Sequence, residues 1–189
     1  MKKLSLIIAT FFVVSGIVKA QPDSNSASHT VGINISNLAI LDIETMGVSN
    51  DINFNITSPT EAGEGISYTG IKNDSLWLNY SSIVSAGKTR SVSATISGTL
   101  PGGTTISVAA ADPVSNYGKG KKGTANTTPQ VLTSNGIKVI DGIGSCYTGD
   151  GAGRGSNLTY TLNLDESNYD ALYDGSYSAT ITYTISDQQ

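Results

Sequence analysis

The chain has very little of the chemistry on which enzymes and metal proteins depend. Its 189 residues include one histidine, His29, and one cysteine, Cys146. Transition-metal sites usually draw on several His or Cys ligands, so one residue of each kind argues against such a site. No segment resembles a nucleophile elbow or another catalytic-triad signature. We therefore expect no catalytic residue, no metal ligand and no cofactor, and we expect that the protein is not an enzyme.

The scarcity of cysteine also excludes an intrachain disulfide, so the core has to be stable through packing alone. Three states are open for the thiol of Cys146: burial, reactivity, or a link to another chain. Burial is the favoured interpretation, because free cysteine behaves as a small hydrophobe. Cys146 also lies far from the N-terminus, where the lipid-anchored cysteine of a lipoprotein would have to be.

Long apolar runs are absent except at the N-terminus. Lys2 and Lys3 precede the apolar residues 4–18, and small or aliphatic residues stand at the third and first positions before Gln21. This pattern predicts a signal peptide at residues 1–20. The alternative, an uncleaved membrane anchor, would need about 20 apolar residues. We expect a secreted or outer-surface protein without a transmembrane segment after cleavage, with the periplasm as the alternative compartment.

Basic residues are scarce as well. Cleavage before Gln21 leaves eight Lys and Arg residues against 15 Asp and Glu residues, a net charge of −7. Nucleic acids and anionic membranes need clustered positive charge, so neither is an expected partner. The one basic cluster, at residues 119–122, lies among glycines and is typical of a solvated loop.

Acidic residues cluster before the last predicted strand, as Asp165 with Glu166 and as Asp170 with Asp174. Paired carboxylates can hydrolyse glycosides, but acidic residues in turns more often cap or solvate the chain. The glycine-rich residues 149–155 lack the alternating acids of a calcium loop. We interpret both stretches as ordinary turn and loop sequence.

What the chain does contain is alternation with a period of two, which is typical of half-buried antiparallel strands. Residues 157–164 and 177–185 each place apolar side chains on one face and Thr, Ser or Asn on the other. The shorter predicted strands are Ile52/Phe54/Ile56, Leu76/Leu78/Tyr80, Val92/Ala94/Ile96 and Ile106/Val108.

Turn residues separate these runs. Residues 101–103, Pro-Gly-Gly, predict a hairpin connection, whereas residues 112–129 and 144–156 are glycine-rich and predict long surface loops. Only residues 165–173 have a helical pattern. The prediction is an all-β protein with an antiparallel β-sandwich, Ig-like or pilin-like, of roughly eight to ten short strands. Residues 21–28 would be a flexible leader, and residues 29–189 a single domain.

Two functional hypotheses from different classes follow from the alternating residues after the leader and from the aromatic residues. Val31, Ile33 and Ile35 alternate with Gly32 and Asn34, so this segment could be the protein's own first strand or could complete the sheet of a neighbouring copy. The second alternative makes the protein a non-enzymatic structural or adhesive surface protein that assembles with itself by strand pairing.

The other hypothesis is a carbohydrate-binding module. Because Leu76 and Leu78 are predicted to face the core, Trp77 would lie on the opposite surface, where an indole can stack on a sugar ring. The alternative is that this strand is covered on both faces. With a cell-surface glycan as the partner, the candidate contacts are Trp77, Tyr80, Tyr117 and Tyr147, together with the glycine-rich loops.

Several segments resemble known bacterial surface proteins. Residues 175–187 are similar to the closing strand of fimbrial subunits, spore-coat-U-like proteins and WxL domains. Residues 38–44, 75–81 and 142–151 are similar to uncharacterised secreted β-sandwich proteins of flavobacteria and their relatives. The resemblance implies the fold and the compartment, and no mechanism. The chain departs from fimbrial subunits in lacking an early disulfide, and from WxL domains in carrying Tyr183 in place of tryptophan.

Overall fold

The computed structural model describes residues 25–188. The predicted signal peptide and residues 21–24 of the predicted leader lie outside the described residues. One compact unit begins at Ile35, and the residues up to Asn34 belong to a separate unit. Residues 25–34 are exposed and lie in no strand or helix.

The compact unit is all-β, and its antiparallel sheets form two layers, as the sequence pattern predicts. The strands are β1 (Leu38–Thr45), β2 (Ile71–Ile83), β3 (Arg90–Thr99), β4 (Thr104–Ala110), β5 (Lys119–Gly120), β6 (Thr124–Ala125), β7 (Gln130–Val131), β8 (Ile137–Ile143), β9 (Cys146–Tyr147), β10 (Ser156–Leu164) and β11 (Ser178–Asp187).

The larger sheet has the order β5-β9-β2-β10-β4-β7, with β1 also paired to β2, and the smaller sheet has the order β11-β3-β8-β6. Among the described residues, β1 pairs only with β2 and β11 pairs only with β3. Each of these two strands therefore has one unpaired edge. Unpaired strand edges offer backbone N–H and C=O groups to another chain.

The core forms where the alternating residues of the two sheets meet. Leu78 of β2, Val92 of β3, Ile140 of β8 and Leu158 of β10 are fully buried. In β10 the predicted alternation is confirmed, because Leu158, Tyr160, Leu162 and Leu164 are all buried. Burial of apolar area at about 25 cal/mol per Å² is the main contribution to the stability of such a core.

The turn at residues 101–103 is the first correction to the sequence-based prediction. Thr104 N donates to Pro101 O at 3.1 Å, so the chain does reverse here. However, β3 belongs to the smaller sheet and β4 to the larger one, so the turn crosses between sheets and is not a hairpin. Gly102 packs so closely against the carbonyl of Ala171 that a Cβ would clash with it.

Four other predicted elements differ in the structure. The segment with Ile52, Phe54 and Ile56 lies outside the strands, so the prediction of a strand is wrong there. Residues 29–35 also lie in no strand, so the structure contradicts the alternative in which they form the protein's own first strand. The two predicted loops contain the short strands β5, β6 and β9, where Gly118 adopts a φ of 68° close to the carbonyl of Tyr147. The helical pattern of residues 165–173 forms a 3₁₀ helix at Glu166–Ala171.

The buried guanidinium of Arg90 joins both sheets at one end of the sandwich. Its side chain is 3% exposed, and its Nε donates to Asp187 Oδ1 of β11 at 2.7 Å. Its other nitrogens donate to Ser82 Oγ of β2 at 3.0 Å, to Asn37 Oδ1 at 2.5 Å and to the carbonyl of Leu38 in β1. A charge at this depth is tolerated because each of its nitrogens has an acceptor.

We predict that Arg90→Met lowers the free energy of unfolding by about 3 kcal/mol, because it leaves acceptors of β1, β2 and β11 without their charged donor. Urea unfolding followed by circular dichroism measures the change. Lys138→Met, which removes an exposed ion pair with Asp141, is the matched control and should cost less than about 0.5 kcal/mol. Equal stability of the two variants would contradict a central role for Arg90.

Candidate functional site

The N-terminal apolar segment, defined as Val31–Ile35, is the most exposed apolar feature that sequence reasoning selected. Val31, Ile33 and Ile35 are 72%, 84% and 74% exposed. The segment lies in no strand, so its backbone is not committed to a sheet ladder. Three large apolar side chains at alternating positions, exposed to water, mark a surface that gains free energy by being covered.

The seam between the free edges of β1 and β11 is the feature that sequence reasoning missed. Leu41 and Ile43 of β1, and Ile181 and Tyr183 of β11, face the core but are only half-buried. Central strands bury the equivalent residues completely, for example Leu78. The sandwich is thus less well covered along this side than in its middle.

A cavity of about 810 Å³ opens in this seam, and we call it the seam cavity. Its walls come from the end of β1, from the inner faces of β2, β4 and β10, from β11, and from residues 50–56. Ile52 and Phe54 are half-buried there and pack against the core. The volume lies in the range of pockets that bind ligands or peptide side chains.

Tyrosine hydroxyls in the wall of the seam cavity pair with neighbouring hydroxyls. The hydroxyl groups of Tyr160 and Tyr183 lie 2.7 Å apart, and Tyr68 Oη lies 2.5 Å from Thr104 Oγ1. Burial raises the pKa of Tyr160 to about 12 and also raises the pKa of Tyr183. Both phenols therefore stay neutral at physiological pH, and the wall of the cavity is suited to apolar rather than ionic groups.

Trp77 is half-buried on the outer face of the larger sheet, as expected from the alternation of β2. Its cross-strand partners are Glu44 of β1 and Asn157 of β10. Tyr147 of β9 pairs with Ser81 of β2, so by the two-residue period it shares the outer face with Trp77. Asn79 lies between Trp77 and Ser81 on β2, and its side-chain amide donates to the carbonyl of Gly151 at 2.9 Å.

Of the other predicted contact residues, Tyr80 is buried, whereas Tyr117 and Tyr147 lie at the surface. Tyr80 is 3% exposed and its hydroxyl donates to the carbonyl of Lys122 at 2.5 Å, so it belongs to the core and is not available to a ligand. Tyr117 and Tyr147 are 40% and 51% exposed. The face of Tyr117 is occupied, because the guanidinium of Arg154 lies 4.6 Å from its ring centre.

In the acidic cluster before the last strand, Asp165 caps a helix. Asp165 Oδ1 accepts from Ser167 N at 3.1 Å and from Ser167 Oγ at 2.6 Å, which caps the 3₁₀ helix. These hydrogen bonds lower the pKa of Asp165.

In the described part of the chain, no three His, Cys, Asp or Glu side chains lie together as metal ligands would. Within residues 25–188, no helix is long and apolar enough to cross a membrane.

Comparison with known proteins adds no relative, because no family model, curated protein or solved structure matches this chain. The candidate sites therefore stand on their own geometry.

The buried thiol of Cys146 gives a test of the core. Cys146 is 7% exposed, and burial raises its pKa from 9.0 to about 11. A rise of about two units leaves about a hundredfold less thiolate at pH 8 in the folded than in the unfolded chain. We predict that a disulfide reagent modifies the native protein at least about a hundredfold more slowly than the urea-unfolded protein. Equal rates would show that the thiol is accessible and reactive.

Proposed function

We propose that the chain is a non-enzymatic extracellular structural or adhesive surface protein that associates with copies of itself by strand pairing. The observation that carries the proposal is the exposure of Val31, Ile33 and Ile35 on a segment that belongs to no strand. Such a segment can add to a sheet edge, where main-chain hydrogen bonds give affinity and alternate side chains give register.

The rest of the chain offers the complementary surface. The unpaired edges of β1 and β11 run for eight and ten residues, which is ample for a five-residue partner strand. Natural proteins usually protect edges of this length, because an exposed edge pairs readily with another chain. Leu38 and Ile40 of β1 are also 39% and 56% exposed, so the first part of that edge carries exposed apolar side chains.

The expected compartment supports a role at the surface. The signal-peptide pattern at residues 1–20 directs the chain out of the cytoplasm, and the acidic balance argues against nucleic acid as a partner. The resemblance of residues 175–187 to closing strands of bacterial surface sandwiches supports the same proposal. Cell exterior, outer surface and periplasm are all compatible with it.

We predict that the triple variant Val31→Ser, Ile33→Ser, Ile35→Ser loses self-association. Removing three apolar side chains from an interface should weaken association at least about a hundredfold. Light scattering coupled to size exclusion, together with negative-stain microscopy, measures the oligomers of both proteins over a concentration series.

The matched control removes three other exposed apolar side chains, in the variant Met46→Ser, Val48→Ser, Val131→Ser. This control should assemble like the unmodified protein. An unmodified protein that stays monomeric throughout the series would end the proposal, as would assembly that survives the triple substitution in the segment.

A second candidate function, a carbohydrate-binding module, rests on the outer face of the larger sheet. Trp77 and Tyr147 lie on neighbouring strands of that face, and Glu44 and Asn157 stand beside Trp77 in the register. An aromatic ring next to carboxylate and amide groups can stack on a sugar and bind its hydroxyls. The partner in this case would be a cell-surface glycan.

We predict for this alternative that Trp77→Ala lowers retention on immobilised glycans at least about tenfold, since a stacked indole contributes on the order of 1.4 kcal/mol or more. Tyr173→Ala removes an aromatic side chain that is 71% exposed elsewhere and is the control. Circular dichroism confirms that both variants fold. Equal retention by both variants would remove the support for a glycan site at Trp77.

A further inference from the structure

The seam cavity is covered in part by a segment whose side chains alternate as in a strand although its backbone pairs with no strand. Residues 50–56 form one wall of it, and Ile52 and Phe54 turn half-buried side chains towards the core. This stretch lies outside every strand of residues 25–188. The segment therefore contributes apolar side chains to the seam while leaving the edges of β1 and β11 without a ladder partner.

The same pattern occurs a second time in the chain. Residues 52–57 read Ile-Asn-Phe-Asn-Ile-Thr, and residues 31–36 read Val-Gly-Ile-Asn-Ile-Ser. Both have apolar residues at the first, third and fifth positions, Asn-Ile at the fourth and fifth, and a hydroxyl residue at the sixth. One copy of the pattern is half-buried against the seam, whereas the other carries the exposed Val31, Ile33 and Ile35.

From this correspondence we propose that the seam cavity of one molecule receives Val31–Ile35 of a second copy, which pairs with the free edge of β11 beside residues 52–56. The inference rests on the proposed self-association and names its acceptor. Strand β11 is the edge concerned, because residues 177–181 and Tyr183 all line the cavity. A strand fits the seam better than another apolar ligand does, because its backbone can hydrogen-bond the unpaired N–H and C=O groups of β11 while its side chains fill the cavity.

Chain length favours a second copy over the same molecule. Asn37 is held by Arg90, which also binds Asp187 at the far end of β11 from Ser178. Ile181 lies six residues from Asp187, about 20 Å along the strand. Ile33 lies four residues from Asn37 and extends at most about 14 Å. Ile33 of a molecule's own segment therefore reaches no farther along β11 than Tyr183, and the part of the cavity lined by residues 177–181 lies beyond it.

Electrostatic repulsion does not oppose the binding of Val31–Ile35 in the seam cavity of a second copy. Val31–Ile35 carries no charged residue, and Asp51 is the only charged side chain among those that line the cavity. The phenols of Tyr160 and Tyr183 are neutral and paired with each other. Two copies with a net negative charge can therefore meet here without bringing clustered like charges together.

Cysteine cross-linking between two differently labelled preparations tests the assignment. One preparation carries Ile33→Cys and the other carries Ala179→Cys, which places the thiol on a half-buried residue that lines the cavity and shares the inner face of β11 with Ile181. Both are expressed from the full-length sequence and mixed under mild oxidation. The native Cys146 is buried and does not compete. The control pairs Ile33→Cys with Thr128→Cys, an exposed position beside β7.

We expect a disulfide-linked heterodimer of the Ile33→Cys and Ala179→Cys chains, in at least about tenfold higher yield than the control pair, because docking raises the effective concentration of the two thiols. Mass spectrometry identifies the linked peptides. Cross-linking no better than the control, in a protein that otherwise assembles through Val31–Ile35, overturns the seam cavity as acceptor and leaves the proposed function standing.

Two other outcomes also overturn the inference. A chain that carries both Ile33→Cys and Ala179→Cys and forms a monomeric, intramolecular disulfide would show that the segment fills its own seam. An unmodified protein that is monomeric at all concentrations would remove the proposed function, and the acceptor with it.

Discussion

Apolar packing between the two sheets holds this chain together, since its lone cysteine leaves it without an intrachain disulfide. The inner residues of β2, β3, β8 and β10 are fully buried, and they meet from opposite sheets in one continuous core. The other features of the structure depend on how completely the inner residues of each strand are buried in that core. Central strands are covered on both sides by neighbours, whereas β1 and β11 are covered on one side only, so their inner residues stay half-buried.

Arg90 shows how the sandwich is closed at one end of this less covered side. Its guanidinium binds β1, β2 and β11 together, which fixes the start of β1 at Leu38 and the end of β11 at Asp187. Farther along the seam, the hydroxyl groups of Tyr160 and Tyr183 join the two sheets, and the half-buried Ile52 and Phe54 form part of the cover. A buried charge thus holds the sheets together at one end, whereas neutral hydroxyls and apolar side chains do so at the cavity.

The distribution of apolar side chains gives the proposed function its physical basis. A monomeric protein gains nothing from exposing Val31, Ile33 and Ile35, and it pays a solubility cost for the unpaired edges of β1 and β11. Both features are useful if the apolar segment and a seam belong to different copies. The outer face with Trp77 is an independent surface, so binding of a glycan there and assembly through the seam are compatible with each other.

The sequence by itself determined the all-β class and the strands with long alternation, because a period of two is set by local backbone geometry. Only the tertiary structure decided which strands pair. The turn at residues 101–103 reverses the chain locally but crosses between sheets. The alternating Ile52, Phe54 and Ile56 form no strand, because alternation selects a face and does not supply a ladder partner. The contacts of Arg90 and the seam cavity unite residues that lie about 100 or more positions apart, as Arg90 and Asp187 or Ile43 and Tyr183 do, and no local pattern encodes such contacts.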